Sequence, residues 1–281
     1  MKKIAVLISC FNRKNKTIKC LEKLFSQSIF NLYDLNIFLV DDGSTDGTSH
    51  VVTELFPAVR IINGDGNLYW NRGMSLAWRT AGYQGYDYYL WLNDDVELLD
   101  GALLKLLEIY ESASLKKPFI LIGSTCDPVS GQVTYGGAKR SDVLFKFNLI
   151  NPGTQLIAAD TMNGNIVLVP KDISSNLMGL DPQFSHAMGD TDFGLRATKA
   201  GFTIQVAPSC YGTCTHNSVA SSYLDNSLSK KIRFKKILSP KGLPVRDWAI
   251  FCKRHAGKLW VVYFLWPYLK LLIRRQFYCI L

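Results

Sequence analysis

Apolar residues recur along this chain in two alternating rhythms. Residues 4–8 read IAVLI without a polar break, as expected for a strand covered on both faces. Ile18, Leu21, Leu24 and Phe25 then recur at helical spacing. Residues 36–40, NIFLV, predict a second buried strand that ends in Asp41-Asp42-Gly43-Ser44. Thr45 or Asp46 suits the cap of a helix running to about Phe56. The pattern continues with strands at 59–62, 88–92 and 119–123, and with helices at 71–82 and 99–111. Beyond these it loosens. Residues 131–138 predict a hairpin, 163–170 a strand, and 190–200 a helix with Arg196 and Lys199 near its end. Alternating strands and helices imply an α/β fold with a largely parallel sheet. No Pro/Ser-rich linker interrupts the chain before about Leu224. One α/β domain over residues 1–224 is therefore expected, with a separate region over 225–281.

Composition narrows the class. With 281 residues, 48% of them apolar and 20% charged, whole-chain disorder is excluded. No repeat or low-complexity block points to a solenoid or a fibre. No run of 18 uncharged apolar residues predicts a spanning helix. The opening MKKIAVLISCFNRKN lacks a small-residue cleavage site, so it reads as a strand and not as a secretory signal. Seven scattered cysteines, only Cys210 and Cys214 being close, suggest reduced thiols in a cytosolic protein.

The charge is uneven. Of 32 Lys/Arg and 23 Asp/Glu, residues 230–281 hold thirteen and one, the one being Asp247. Residues 1–229 are left slightly acidic. Within the basic tail, Leu259 to Leu269 reads LWVVYFLWPYL, followed by Lys270, Arg274 and Arg275. Trp260, Tyr263, Trp266 and Tyr268 are residue types that favour the bilayer interface. Cations beside them suit an anionic membrane surface. Two alternatives stay open: a C-terminal helix packed on the body, and nucleic-acid binding. No nucleic-acid-binding signature accompanies the charge, so no nucleic-acid partner is expected.

Two of these strands, at 36–40 and 88–92, each end in an aspartate pair, Asp41-Asp42 and Asp94-Asp95. Ligands of open α/β sheets bind beyond the carboxyl ends of strands. Adjacent carboxylates repel and call for compensation, commonly a divalent cation shared with substrate phosphates. A single pair reads equally well as a turn with a helix cap; two pairs favour a ligand site. Gly64-Asp65-Gly66 does not complete a dinucleotide fingerprint, and no GxxxxGK[ST] is present. Further on, Gly189-Asp190-Thr191-Asp192 opens the helix at 190–200. Asp190 there is either a general base or a plain N-cap. Asp192 either meets the acceptor or braces the helix.

Taken together, SCFNR, LVDDGSTDGT, LWLNDDVEL and GDTDFGLRATKAGF resemble the inverting family-2 glycosyltransferases of the GT-A fold, over roughly residues 1–217. GNLYW and SHAMGDTDFGLRA are similar to a bacterial surface-polysaccharide subgroup that includes rhamnosyltransferase-like members, with O-antigen synthesis among its roles. The resemblance implies a GT-A fold, Rossmann-like with a mostly parallel mixed sheet flanked by helices, followed by a basic C-terminal helical appendage. It implies transfer of a hexosyl or deoxyhexosyl group from a nucleotide-diphosphate sugar to a glycan or lipid-linked glycan, with inversion. Ser9, Asn12, Arg13, Asp41, Asp42, Asn67 and Asp94 would bind the donor. Asp95 would hold Mg2+ or Mn2+, with His216 either joining it or remaining a loop histidine. Asp190 would be the catalytic base; Asp192, His186 and Trp70 would meet the acceptor. Asn93 stands where the family's metal motif has its first acid, and Gly189 where an acid commonly precedes the base. A cytoplasmic enzyme, peripheral on the inner face of the membrane, is expected. Two competitors remain: a sugar-phosphate nucleotidyltransferase, whose glycine-rich N-terminal loop SCFNRKNK lacks, and a non-catalytic membrane-docked module that binds nucleotide sugar.

Overall fold

The structure is a computed structural model that describes residues 1–115, 118–141 and 146–273. The chain opens with β1 (Lys2–Cys10), α1 (Lys14–Phe25), β2 (Tyr33–Asp41), α2 (Thr48–Leu55), β3 (Val59–Asn63), α3 (Tyr69–Ala81), β4 (Tyr88–Leu92), β5 (Glu97–Leu98) and α4 (Ala102–Ser112). It continues through β6 (Phe119–Cys126), β7 (Val133–Tyr135), β8 (Gly137–Arg140), β9 (Phe147–Leu149), β10 (Ile157–Ala159), β11 (Thr161–Met162) and β12 (Ile166–Pro170). Then come α5 (Lys171–Leu177), α6 (Gly189–Lys199), β13 (Thr203–Thr213), α7 (Lys230–Ile237), α8 (Val245–His255) and α9 (Trp260–Ile273).

The main sheet has the order β10-β13-β6-β12-β4-β1-β2-β3, and β8 forms a small second sheet with β9 and β11. Strands β4, β1, β2 and β3 are mutually parallel, as the alternating pattern predicts. Strand β12 runs antiparallel to both β4 and β6, so the sheet is mixed. Along β1, Ile4, Val6 and Ile8 join one buried cluster with Leu21 and Leu24 of α1 and Leu106 of α4. Ala5 and Leu7 join the other, with Met74 and Trp78 of α3 and Phe193 of α6. Helices on both faces explain why IAVLI carries no polar alternation.

Several local expectations change. Helix α3 begins two residues early, at Tyr69, which holds a left-handed φ of 56°. Helix α4 begins at Ala102, after Gly101 at φ 71°. The stretch 131–138 is not a hairpin: β7 pairs with β6, whereas β8 pairs with β9 and β11. Cysteine usage is also corrected. Parallel neighbours β6 and β13 bring Cys126 and Cys210 together as a disulfide, with Cα atoms 6.1 Å apart. Cys10, Cys20, Cys214 and Cys252 are free and buried; Cys279 lies outside the described residues.

The expected break near residue 224 does not separate two cores. Phe184 and Leu195 from the α/β body share a buried cluster with Trp248, Phe251 and Cys252 of α8, and Trp260, Phe264 and Tyr268 of α9 pack against it. Asp247 accepts a hydrogen bond from the Ser185 backbone N–H at 2.7 Å. Asp192 is fully buried and takes Arg196 at 2.8 Å, Arg254 at 2.7 Å and His255 at 2.9 Å. The acceptor role expected for Asp192 is thereby corrected: it braces α6 against α8. Burial raises its pKa, but His255, Arg196 and Arg254 outweigh that and hold it below the ordinary carboxylate value. Its contribution to stability is present above the unfolded value of about 3.9 and fades as pH falls through the lower folded value. Replacing Asp192 with Ala takes the shared acceptor from Arg196, Arg254 and His255 and leaves Arg254 only Asp181 and Arg196 only the Leu177 and Gly179 carbonyls. We expect a loss of about 3 kcal/mol at neutral pH, read as a lowered urea midpoint. The difference from wild type should shrink in acid.

Candidate active site

The parallel registers line up three strand ends. Cys10 pairs with Asp41, and Leu7 with Trp91, so the segments after β1, β2 and β4 emerge on one edge of the sheet. Because β12 is antiparallel, its N-terminal approach, Asn163 to Asn165, reaches the same edge. A cavity of about 720 Å³ opens there, lined by Arg13, Trp70, Asn93, Asp94, Asp95 and the 163–165 segment, and by His186, Asp190, Cys214, Lys236 and Lys241 among others.

Asp94 and Asp95 share a single cation. Arg13 Nη1 donates to Asp94 Oδ1 and to Asp95 Oδ2, each at 2.9 Å, and Lys16 Nζ lies 3.7 Å from Asp95. The other oxygen of Asp94, Oδ2, is buried without a hydrogen-bond partner. Burial pushes the Asp94 carboxyl up to about 6, with Asp95 adding to the rise and Arg13 opposing it. A buried carboxylate oxygen lacking a partner, beside a second carboxylate, fits a divalent cation that completes its shell with ligand oxygens. His216 does not join this pair. Its ring stacks on Tyr135, with centroids 5.4 Å apart, and it does not line the cavity. Among the described residues no three His, Cys, Asp or Glu side chains gather as a metal cluster. The expected His216 ligand is thus corrected, because the strand leading to it turns its ring onto an aromatic wall. Cys214 lies beside Asp95 instead, and burial and that carboxylate push its thiol up to about 12.

The other predicted donor residues act mainly as scaffolding. Asp42 accepts from the backbone N–H groups of Gly66, Leu68 and Tyr69 at 2.9, 3.1 and 2.8 Å. Its carboxylate therefore holds the loop into α3, where a nucleobase or ribose contact was expected. Asp41 accepts from Ser44 N–H at 2.9 Å and from the Ser49 hydroxyl. Asn12, at φ 50°, receives the Thr45 N–H on its side-chain oxygen at 2.7 Å and donates its own N–H to Ser44 Oγ at 2.8 Å. Neither Thr45 nor Asp46 stands at the cap of α2: Gly47 does, at φ 82°, and Asp46 just before it accepts from Thr48 N–H at 3.1 Å and from Lys14 N–H at 2.9 Å. Ser9 lies beneath α3, so close to Gly73 that a Cβ there would stand 2.2 Å from Ser9 Oγ. Asn67 is exposed in the loop that Asp42 holds, its N–H donating to Asp65 at 2.9 Å. None of these five predicted residues lines the cavity.

Asn93 has a positive role. Its side-chain oxygen accepts from the Trp70 indole N–H at 2.7 Å. The indole lies so close to Gly164 that a Cβ there would come within 2.3 Å of it. Trp70 is thereby a fixed cavity wall. The Trp70 backbone N–H donates to His186 Nδ1 at 3.4 Å, which leaves the imidazole proton on Nε2. Burial lowers His186 to about 4, with Lys241 and Arg13 adding to the effect, so the ring is neutral near pH 7.

Asp190 occupies the first turn of α6, after Met188 at φ 71°. Its carboxylate accepts from Gly164 N–H at 3.2 Å and from Thr191 N–H at 2.7 Å. Burial raises its pKa more than those hydrogen bonds lower it. The result is an oriented carboxylate with enhanced basicity, which suits proton abstraction. Gly189 has a steric reason: a Cβ there would stand 1.8 Å from Asn71 Oδ1, so no acid fits before the base.

Comparison with known proteins agrees with this geometry. Residues 5–115 match the family described as Glycosyl transferase family 2. Its fold is the GT-A fold of the solved glycosyltransferases it resembles. It is 25% identical over 213 residues to the N-acetylglucosaminyl-diphospho-decaprenol L-rhamnosyltransferase of Mycobacterium tuberculosis, covering 66% of this chain and 68% of that one. Among solved structures it resembles TarS 1-349 of S. aureus in complex with UDP, with a TM-score of 0.56, 13% identity, and coverage of 92% and 72% of the two chains. It also resembles the mannosyltransferase PcManGT of Pyrobaculum calidifontis in complex with GDP-Man and Mn2+, with a TM-score of 0.56, 13% identity, and coverage of 96% and 73%.

Sequence reasoning missed the 163–165 segment, Cys214, Lys236 and Lys241. The basic composition of the tail marked the two lysines as charge but did not place them at the cavity.

The two perturbed groups predict a pH profile. With Asp190 as the general base, the acid limb of kcat is expected above the ordinary carboxylate range of about 4. His186, neutral throughout, should leave no inflection between pH 6 and 8. A profile measured with and without His186→Gln tests both points; a limb near pH 6.5 that disappears in the variant would contradict the neutral ring.

Proposed function

We propose that the protein transfers a hexosyl or deoxyhexosyl group from a nucleotide-diphosphate sugar to a lipid-linked glycan, with inversion, during synthesis of a bacterial cell-surface polysaccharide. The observation that carries this reading is the sharing of one cavity by the Asp94–Asp95 pair and the buried, basic Asp190. The rhamnosyltransferase relative, named for a lipid-diphosphate substrate, supports the acceptor class.

Asp94 and Asp95 would hold Mg2+ or Mn2+. When bound, that ion would offset the charge of the donor diphosphate as it leaves. Arg13 and Lys16 add positive charge beside it. Asp190 takes the proton of the acceptor hydroxyl. That oxygen bonds to the anomeric carbon while the bond from this carbon to the diphosphate oxygen breaks, and the nucleoside diphosphate departs with the electron pair. A single displacement inverts the carbon. Neutral His186 offers its Nε2–H as a donor to the acceptor, and Trp70 forms the wall against which a sugar ring packs.

The C-terminal region would place this chemistry at the inner face of the cytoplasmic membrane. Val261, Val262, Leu265, Trp266, Leu269, Leu272 and Ile273 recur on one side of α9 and are exposed, Trp266 by 57%. The opposite side packs on α8. No helix among the described residues is long and apolar enough to cross a membrane. A bare apolar stripe beside a strongly basic segment suits an interfacial anchor; Arg274 and Arg275 of that segment lie outside the described residues.

Three outcomes are expected. Asp190→Asn should keep its fold and its donor affinity, while kcat falls by about 10²-fold or more. Near-native turnover would remove Asp190 from the chemistry. Asp95→Ala should lose metal-stimulated activity and weaken nucleoside-diphosphate binding by calorimetry; full wild-type activity in EDTA would argue against the cation. Val262→Glu with Trp266→Glu should reduce co-sedimentation with anionic vesicles while leaving the melting temperature unchanged. Equal sedimentation of variant and wild type would exclude α9 as the anchor.

A further inference from the structure

Two of the cations that line the cavity are engaged by none of its carboxylates. Arg13 and Lys16 already serve Asp94 and Asp95. Lys236, at the end of α7, and Lys241, in the connection to α8, also line the cavity. Among the described residues neither ammonium group has a carboxylate partner or a hydrogen-bond acceptor. Two cations without carboxylate partners in the wall of an open cavity mark a place for an anion.

Their position distinguishes this anion from the donor. Lys236 and Lys241 enter the cavity from the C-terminal segment, and not from the strand ends that carry Arg13, Asp94 and Asp95. The connection carrying Lys241 is also tied to α9. Tyr268 Oη donates to the Leu243 carbonyl at 2.7 Å, and Trp248 Nε1 donates to the Phe264 carbonyl at 3.1 Å. Lys230 Nζ, at the start of α7, reaches the Leu272 carbonyl at 3.2 Å. The two cations and the bare apolar stripe of α9 thus belong to one packed unit. A ligand satisfying both would carry phosphates at one end and a hydrocarbon chain at the other.

We propose that Lys236 and Lys241 form the subsite for the diphosphate of a lipid-diphosphate-linked acceptor, whose hydrocarbon chain leaves along the exposed face of α9. This rests on the glycosyltransferase reading and names the acceptor's anchoring group within it. Two ammonium groups match a diphosphate in charge, and neither needs to be released from a carboxylate first.

The test uses the full chain and four probes: farnesyl diphosphate, farnesyl monophosphate, inorganic pyrophosphate, and a panel of nucleoside diphosphates with Mn2+. Binding is measured by calorimetry for the wild type and for Lys236→Gln/Lys241→Gln. The wild type should prefer farnesyl diphosphate over both the monophosphate and pyrophosphate. The double variant should bind farnesyl diphosphate about tenfold or more weakly, with a flatter salt dependence, as loss of charge-assisted contacts requires. Its nucleoside-diphosphate affinity should be unchanged. Unchanged farnesyl diphosphate affinity would overturn the proposal. So would a loss confined to nucleoside diphosphates, which would give the lysines to the donor. Pyrophosphate binding as tightly as farnesyl diphosphate would overturn the path along α9. Failure of the wild type to bind any nucleoside diphosphate would instead sink the glycosyltransferase reading, a result separable from the others.

Discussion

The site is organised around the repulsion between two neighbouring carboxylates at the end of β4. Asp94 and Asp95 are both largely buried, and a single guanidinium nitrogen of Arg13 spans them. Burying like charges together costs free energy unless an opposite charge lies within a few ångströms. Arg13 supplies that charge from the segment just after β1. The parallel register of β1 against β4 is what brings it within reach. The compensation is incomplete, because one Asp94 oxygen remains without a partner and the carboxyl is pushed up to about 6. An incompletely neutralised buried acid is the physical signature of a place where a cationic ligand completes the structure.

The remaining acids at the same edge show how similar residues take different work. Asp42 spends its carboxylate on three backbone N–H groups and shapes the entry to α3. Asp192, two residues beyond Asp190, sits in a cluster of Arg196, Arg254 and His255 that fixes α6 against α8. Asp190, facing the cavity, receives only N–H and hydroxyl donors and no cation. The surroundings divide the last two: cations hold the pKa of Asp192 down, whereas burial without a cation raises that of Asp190. The C-terminal helices therefore do more than follow the catalytic domain. They hold the helix that carries Asp190 and supply Lys236 and Lys241 to its cavity.

The positions of β1 to β4, β6 and β12, the parallel character of β1 to β4, and the aspartates after β2 and β4 were legible from the chain alone, because they depend on local periodicity and on residues adjacent in sequence; β13 (Thr203–Thr213) was not. The IAVLI and NIFLV runs require covered faces, and the DDGST and NDD segments follow directly from strand ends. The start of α6 at Asp190 was equally local. These features are written in windows of ten or so residues, within which apolar spacing and turn chemistry act.

Tertiary structure decided what depends on residues far apart in sequence. Only folding brings Arg254 and His255 to Asp192, which turns a possible acceptor contact into a brace. Only the stacking of His216 on Tyr135 removes that histidine from the carboxylate pair. Only the pairing of β6 with β13 joins Cys126 to Cys210. The basic tail was visible as charge, but its composition could not say whether it hangs free or packs. Trp248 and Phe251, buried with Phe184 and Leu195, answer that. Sequence determined which groups carry charge, aromatic surface and backbone preference. The three-dimensional packing determined which of those groups meet, because the energy of a buried charge or ring depends on its neighbours in space and not on its neighbours along the chain.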